Sequence, residues 1–64
     1  MNEKLKAEMA RQEISGNRLA MAAYIAPSDF YNAMNGKKPW YPKWRSRIAD
    51  VLGVHESKLF DDEE

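Results

Sequence analysis

The chain has no cysteine, which rules out disulfides and thiolate metal sites. Its single histidine, His55, cannot build a zinc site alone. With only three glycines in 64 residues, it carries no glycine-rich loop to cradle a phosphate. No apolar run approaches the ~20 residues of a membrane span. The opening stretch MNEKLKAEMARQE is charged throughout and offers no apolar core for a signal peptide. His55 has no nucleophile beside it in sequence, so no Ser-His-Asp constellation can be assembled. Paired carboxylates occur only in Asp61-Asp62-Glu63-Glu64, where nothing apolar surrounds them to raise a pKa. The expectation is a soluble cytoplasmic protein that is not an enzyme and needs no metal or cofactor.

Net charge is also missing: ten basic residues balance ten acidic ones. The balance is uneven along the chain. Residues 1–14 are neutral, with Lys4, Lys6 and Arg11 against Glu3, Glu8 and Glu13. Residues 15–49 hold Arg18, Lys37, Lys38, Lys43, Arg45 and Arg47 against Asp29 alone, which gives +5. Residues 50–64 hold Lys58 against six acids, which gives −5. A positive middle segment suits a polyanion on one face.

A chain of this length is one small domain, expected over 1–60 with an acidic tail at 61–64. Such a domain buries only about 60% of its unfolded surface. The pattern predicts five helices and no strands. Asn2 is placed to cap a first helix to about Glu13, with Leu5, Met9 and then Ile14 inward. Ser15 is placed to cap a second, about 17–23, through a bond to a first-turn amide. Leu19, Ala20 and Ala23 give that helix one apolar face. The pattern breaks at Tyr24-Ile25-Ala26, before Pro27, and proline suits the first position of a new helix. That third helix runs to Asn35, with Phe30 and Ala33 inside. Ser28, Tyr31, Asn32 and Asn35 then lie on the opposite side. Asn35-Gly36 supplies its C-cap. Met34 falls between the faces.

Two prolines stiffen the link Lys37-Lys38-Pro39-Trp40-Tyr41-Pro42. A fourth helix from Pro42 to Leu52 carries an inward stripe of Trp44, Ile48, Val51 and Leu52. Gly53 ends it. A short fifth helix over Glu56–Phe60, with His55 at its start, returns Leu59 and Phe60 to the core. Trp40, Tyr41 and Trp44 suit a lid over a small core, a phosphate contact or a dimer surface.

Residues 15–37 resemble the helix-turn-helix of the phage Cro and lambda-repressor (Xre-like) family. Leu19, Ala23, Ile25, Phe30 and Ala33 occupy its apolar positions, and Ala20 its small helix-crossing position. Asn35-Gly36-Lys37 matches its habitual Asn-Gly-Lys ending. Leu52-Gly53-Val54 matches the end of its fourth helix. The family often has glycine in the turn, where this chain has Tyr24. A tyrosine with positive φ is uncommon, which leaves open whether this turn is built the same way.

The resemblance implies a compact five-helix lambda-repressor-like domain. It also implies sequence-specific binding of double-stranded DNA, as a homodimer on a two-fold operator, by a stand-alone phage or mobile-element repressor at the nucleoid. Helix 27–35 would enter the major groove, which is about 12 Å wide. Ser28, Tyr31, Asn32 and Asn35 would read bases. Asn17, Arg18, Lys37, Lys38 and Lys43 would hold phosphates and set register. Asp29 sits awkwardly near phosphates, and the dipole of its own helix gives it another use. The rival reading is a protein-interaction module on the same scaffold, such as an adaptor, antitoxin-like partner or inhibitor. The zero net charge, the aromatic run at 40–44 and the acidic tail speak for it.

Overall fold

The structure is a computed structural model describing residues 2–60, and the expected acidic tail at 61–64 lies outside the described residues. Four α-helices, α1 Glu3–Gln12, α2 Gly16–Ala22, α3 Pro27–Met34 and α4 Pro42–Leu52, are followed by a 3-10 turn, Glu56–Lys58. There is no strand among the described residues.

Three of the helices end alike. In α1, Ile14 N–H bonds Met9 O at 3.0 Å and Glu13 N–H bonds Ala10 O at 3.1 Å. In α2, Ile25 N–H bonds Ala20 O at 2.8 Å and Tyr24 N–H bonds Met21 O at 3.1 Å. In α3, Lys37 N–H bonds Asn32 O at 2.7 Å and Gly36 N–H bonds Ala33 O at 3.2 Å. This paired closure is the Schellman motif, which puts one residue in the left-handed region. The residues so placed are Glu13 (φ 57°), Tyr24 (φ 59°) and Gly36 (φ 81°). Only the third is the glycine that this conformation favours. At Tyr24 the turn therefore has a positive φ, and a tyrosine bears it.

Each helix buries one stripe. The largest fully buried side chains are Leu5, Leu19, Phe30 and Ile48, one from each helix, and Leu59 after the 3-10 turn. Ala20, Ala23, Ile25, Ala33, Ala49, Leu52 and Phe60 complete the buried set. Met9, Ile14, Met34, Trp44 and Val51 pack against it half-buried, so Met34 belongs to the inner side.

The chain departs from the expected pattern in two places. The expected fifth helix is a three-residue 3-10 turn, Glu56–Lys58. So short a segment cannot offset the cost of nucleating an α-helix. His55 starts it by accepting from Ser57 N–H through Nδ1 at 3.3 Å, and Leu59 and Phe60 still reach the core. The second departure is Asn2, which stands at the N-cap position of α1 but whose side chain makes no capping bond to it. Its Nδ2 donates to Met34 O at 2.8 Å, and its Oδ1 accepts from Trp40 Nε1 at 3.0 Å. The last carbonyls of a helix lack partners within it. Asn2 therefore ties the end of α3 to the link that follows.

Candidate nucleic-acid interface

Two anchors and two ties fix α3. Phe30 and Ala33 point into the core. Pro27 opens the helix at its first position, and Ala26 before it is non-helical, as a residue preceding proline should be. At the far end Asn2 holds Met34 O. Along the flank, Tyr31 lies against the start of α2. A Cβ on Gly16 would stand 2.7 Å from Tyr31 Oη and 3.1 Å from Phe30 Cε2, so any side chain here would have to displace the Tyr31 hydroxyl and press on the Phe30 ring. Ser15 caps α2 there, its Oγ accepting from Arg18 N–H at 3.1 Å, as expected.

The expected base-reading residues divide by exposure. Ser28 and Asn35 are exposed, Tyr31 is 46% exposed, and Asn32 is half-buried. Tyr31 packs edge-on against Phe30 at 5.5 Å between centroids. Ser28, Tyr31 and Asn35 thus lie on the solvent side, while Asn32, expected there too, is half-buried.

Among the expected phosphate residues, Asn17, Arg18, Lys37 and Lys43 are exposed. Asn17 Nδ2 lies 3.7 Å from Met21 Sδ. Lys38 differs from the rest: its ammonium is bound to Asp29 Oδ1 at 2.7 Å. That hydrogen bond, and next the carboxylate's charge, hold the ammonium above the ordinary lysine range. Asp29 is in the first turn of α3, where a negative charge is favoured by the helix dipole.

The aromatic link is largely a lid. Trp40 lies 5.6 Å from Phe30, 5.2 Å from Phe60 and 6.5 Å from Trp44, centroid to centroid. Its indole N–H, one of the candidates for a phosphate, is taken by Asn2. Tyr41 packs edge-on against Trp44 at 4.7 Å and stays partly exposed. The Arg45 guanidinium lies over the Phe60 ring at 5.2 Å, a cation–π arrangement.

Three contributors escape a reading of the sequence: Gly16 as the seat of Tyr31, Asn2 as the tie to Met34, and Arg47. Arg47 Nη1 reaches Tyr24 O at 3.5 Å, joining α4 to the turn between α2 and α3. A glycine in the first turn of a short helix is the one readable signal, since it marks a close approach. Among the described residues no three His, Asp or Glu side chains gather as metal ligands. No helix among them is long and apolar enough to cross a membrane. Compared with protein-family models, curated proteins and solved structures, the chain matches none.

Proposed function

We propose that this chain is a sequence-specific DNA-binding transcriptional regulator. In this reading α2 and α3 form a helix-turn-helix in a domain of the Cro and lambda-repressor kind, and α3 enters the major groove. The observation that carries the reading is the construction of α3. Its inner face is locked by Phe30 and Ala33, Ser28 and Tyr31 are exposed on the helix with Asn32 half-buried beside them, and its C-cap Asn35 is exposed. The helix lies within the stretch of net charge +5. Serine and asparagine bond base edges, and asparagine pairs with adenine bidentately. Arg18, Lys37 and Lys43 are exposed cations suited to phosphates, whose contacts position without specifying. A single domain this small binds weakly, and a homodimer on a two-fold operator doubles its contacts. Repression would follow from blocking polymerase, with the protein at the nucleoid of a bacterial or phage-infected cell.

The decisive experiment is selection of bound fragments from random duplex DNA. The expected product is a two-fold-symmetric site with half-sites about 34 Å apart. Affinity should fall with salt by roughly 0.9 log unit per log unit of salt for each phosphate neutralised. Failure to enrich any sequence, with binding indifferent to salt, overturns the reading.

A second reading, a protein-interaction module on this scaffold, gains one observation beyond those the sequence offers. Met21 is 62% exposed near the end of α2 and Tyr24 is 86% exposed in the turn that follows it. Salt-insensitive DNA retention would favour it.

A further inference from the structure

We propose that Lys38 is the internal counter-ion of Asp29 and makes no phosphate contact of its own. The inference deepens the DNA-binding reading and rests on it.

Asp29 follows Ser28 directly and precedes Asn32 by three residues, so on the helix surface it flanks these two expected base readers, on the side toward buried Ala33. It is the only acidic residue in the 15–49 segment. An uncompensated carboxylate there would repel the phosphates flanking any groove that α3 enters. Yet the same carboxylate favours the first turn of α3 through the helix dipole. The Lys38 ammonium lies 2.7 Å from Asp29 Oδ1 and cancels its charge locally. The backbone delivers it there: Lys37 N–H and Lys38 N–H both bond Asn32 O, at 2.7 and 3.3 Å. The chain leaving α3 thus folds back along it, and a side chain nine residues on reaches the first turn. A pair still this open to solvent, half-buried at both partners, adds little to stability. Its effect falls on the charge that α3 presents. Lys37 and Lys38 are adjacent lysines with different work: Lys37 faces solvent, and Lys38 faces Asp29.

The test is a double-mutant cycle on selected operator DNA and on random duplex, using Lys38→Gln, Asp29→Asn and the double variant, with Lys37→Gln as reference. Lys38→Gln alone should weaken binding about fivefold at 0.1 M salt by unmasking the carboxylate. Adding Asp29→Asn should restore wild-type affinity within about twofold, because a neutral pair replaces a neutral pair. Lys37→Gln should not be rescued by Asp29→Asn. It should instead lower the salt slope by about 0.9 in either background. The Lys38 ammonium, titrated by NMR without DNA, should return to the ordinary lysine range in Asp29→Asn. If Lys38→Gln costs as much in the Asp29→Asn background as in the wild-type one, Lys38 touches phosphate and the inference fails alone. If the wild-type chain shows no salt-dependent binding to duplex DNA, the functional reading fails and takes the inference with it.

Discussion

Replacing Tyr24 by glycine should make this protein more stable, although it deletes an aromatic ring. Tyr24 has φ 59° and its side chain is 86% exposed, so the ring contributes little packing. The left-handed conformation costs an L-residue about 1–2 kcal/mol, and glycine avoids that cost. Glycine also loosens the unfolded chain, which takes back about 0.4–1 kcal/mol. At the middle of both ranges the balance is a stabilisation of about 0.8 kcal/mol. For a domain of this size 1 kcal/mol moves Tm by roughly 4–8 °C, so the expected rise is about 3–6 °C. The bonds that fix the turn involve only backbone of residue 24: Tyr24 N–H to Met21 O, and Arg47 Nη1 to Tyr24 O. They survive the substitution. Tyr24→Ala is the control, because it removes the ring but keeps the Cβ that causes the strain, and should sit within about 0.5 kcal/mol of wild type. Thermal unfolding followed by circular dichroism reads both variants. A glycine variant that melts at or below wild type would refute the reasoning. It would mean that the closing bonds and buried Ile25 hold this φ without strain, or that the ring is stabilising after all.

Three further outcomes are expected. Asn2→Ala removes a donor to Met34 O and an acceptor for the Trp40 indole, both half-buried, and should cost about 1–3 kcal/mol in urea unfolding. A loss under about 0.5 kcal/mol would show that water replaces both bonds. Gly16→Ala pushes a methyl into Tyr31 Oη and Phe30 Cε2, an overpacking cost of about 1–3 kcal/mol from which alanine's better helix propensity takes back about 1 kcal/mol, so a net cost of up to about 2 kcal/mol is expected. The cost should shrink in a Tyr31→Ala background, and equal costs in both backgrounds would exclude the clash. Glu8 accepts from Arg11 and then from Gln12, which lower its carboxyl pKa. A carboxyl whose folded pKa lies below its unfolded value stabilises the fold above the unfolded value. That stabilisation is lost as pH falls through the folded one. Tm should therefore drop on acidification below about pH 4.3, and Glu8→Gln should flatten that drop. An unchanged pH profile in the variant would place the acid sensitivity elsewhere.

The all-helical class is legible because apolar spacing carries it. Leu5, Leu19, Phe30, Ile48 and Leu59 all fall on the inward side of the sequence pattern, and all are buried. The ends are legible where their chemistry is local, as at Ser15, Pro27, Gly36, His55 and Gly53. Legibility fails where a residue acts on something distant in sequence. Asn2 resembles an N-cap, yet its partners are Met34 and Trp40, more than thirty residues away. Lys38 looks like its neighbour Lys37, and only the fold brings it to Asp29. The pattern overcounts a fifth helix because Leu59 and Phe60 do pack inward. Burial of two side chains mimics a helical stripe, when a single 3-10 turn suffices to place them.

These long-range ties bear on how α3 could read anything. A short helix of eight residues is not stable alone. Here Phe30 holds its inner face, Gly16 receives Tyr31 on its flank, Lys38 neutralises its first turn and Asn2 captures its last carbonyl. None of the four uses Ser28 or the Asn35 side chain, so the rod is fixed while part of its outer surface stays uncommitted. Recognition is stronger when side chains are presented by an element that does not have to be ordered on binding. The Tyr31 ring is the exception, because the same side chain that faces outward also rests on α2. Any partner that moves Tyr31 must therefore disturb the α2–α3 packing. This makes Gly16 and Tyr31 the places where binding and stability should prove coupled.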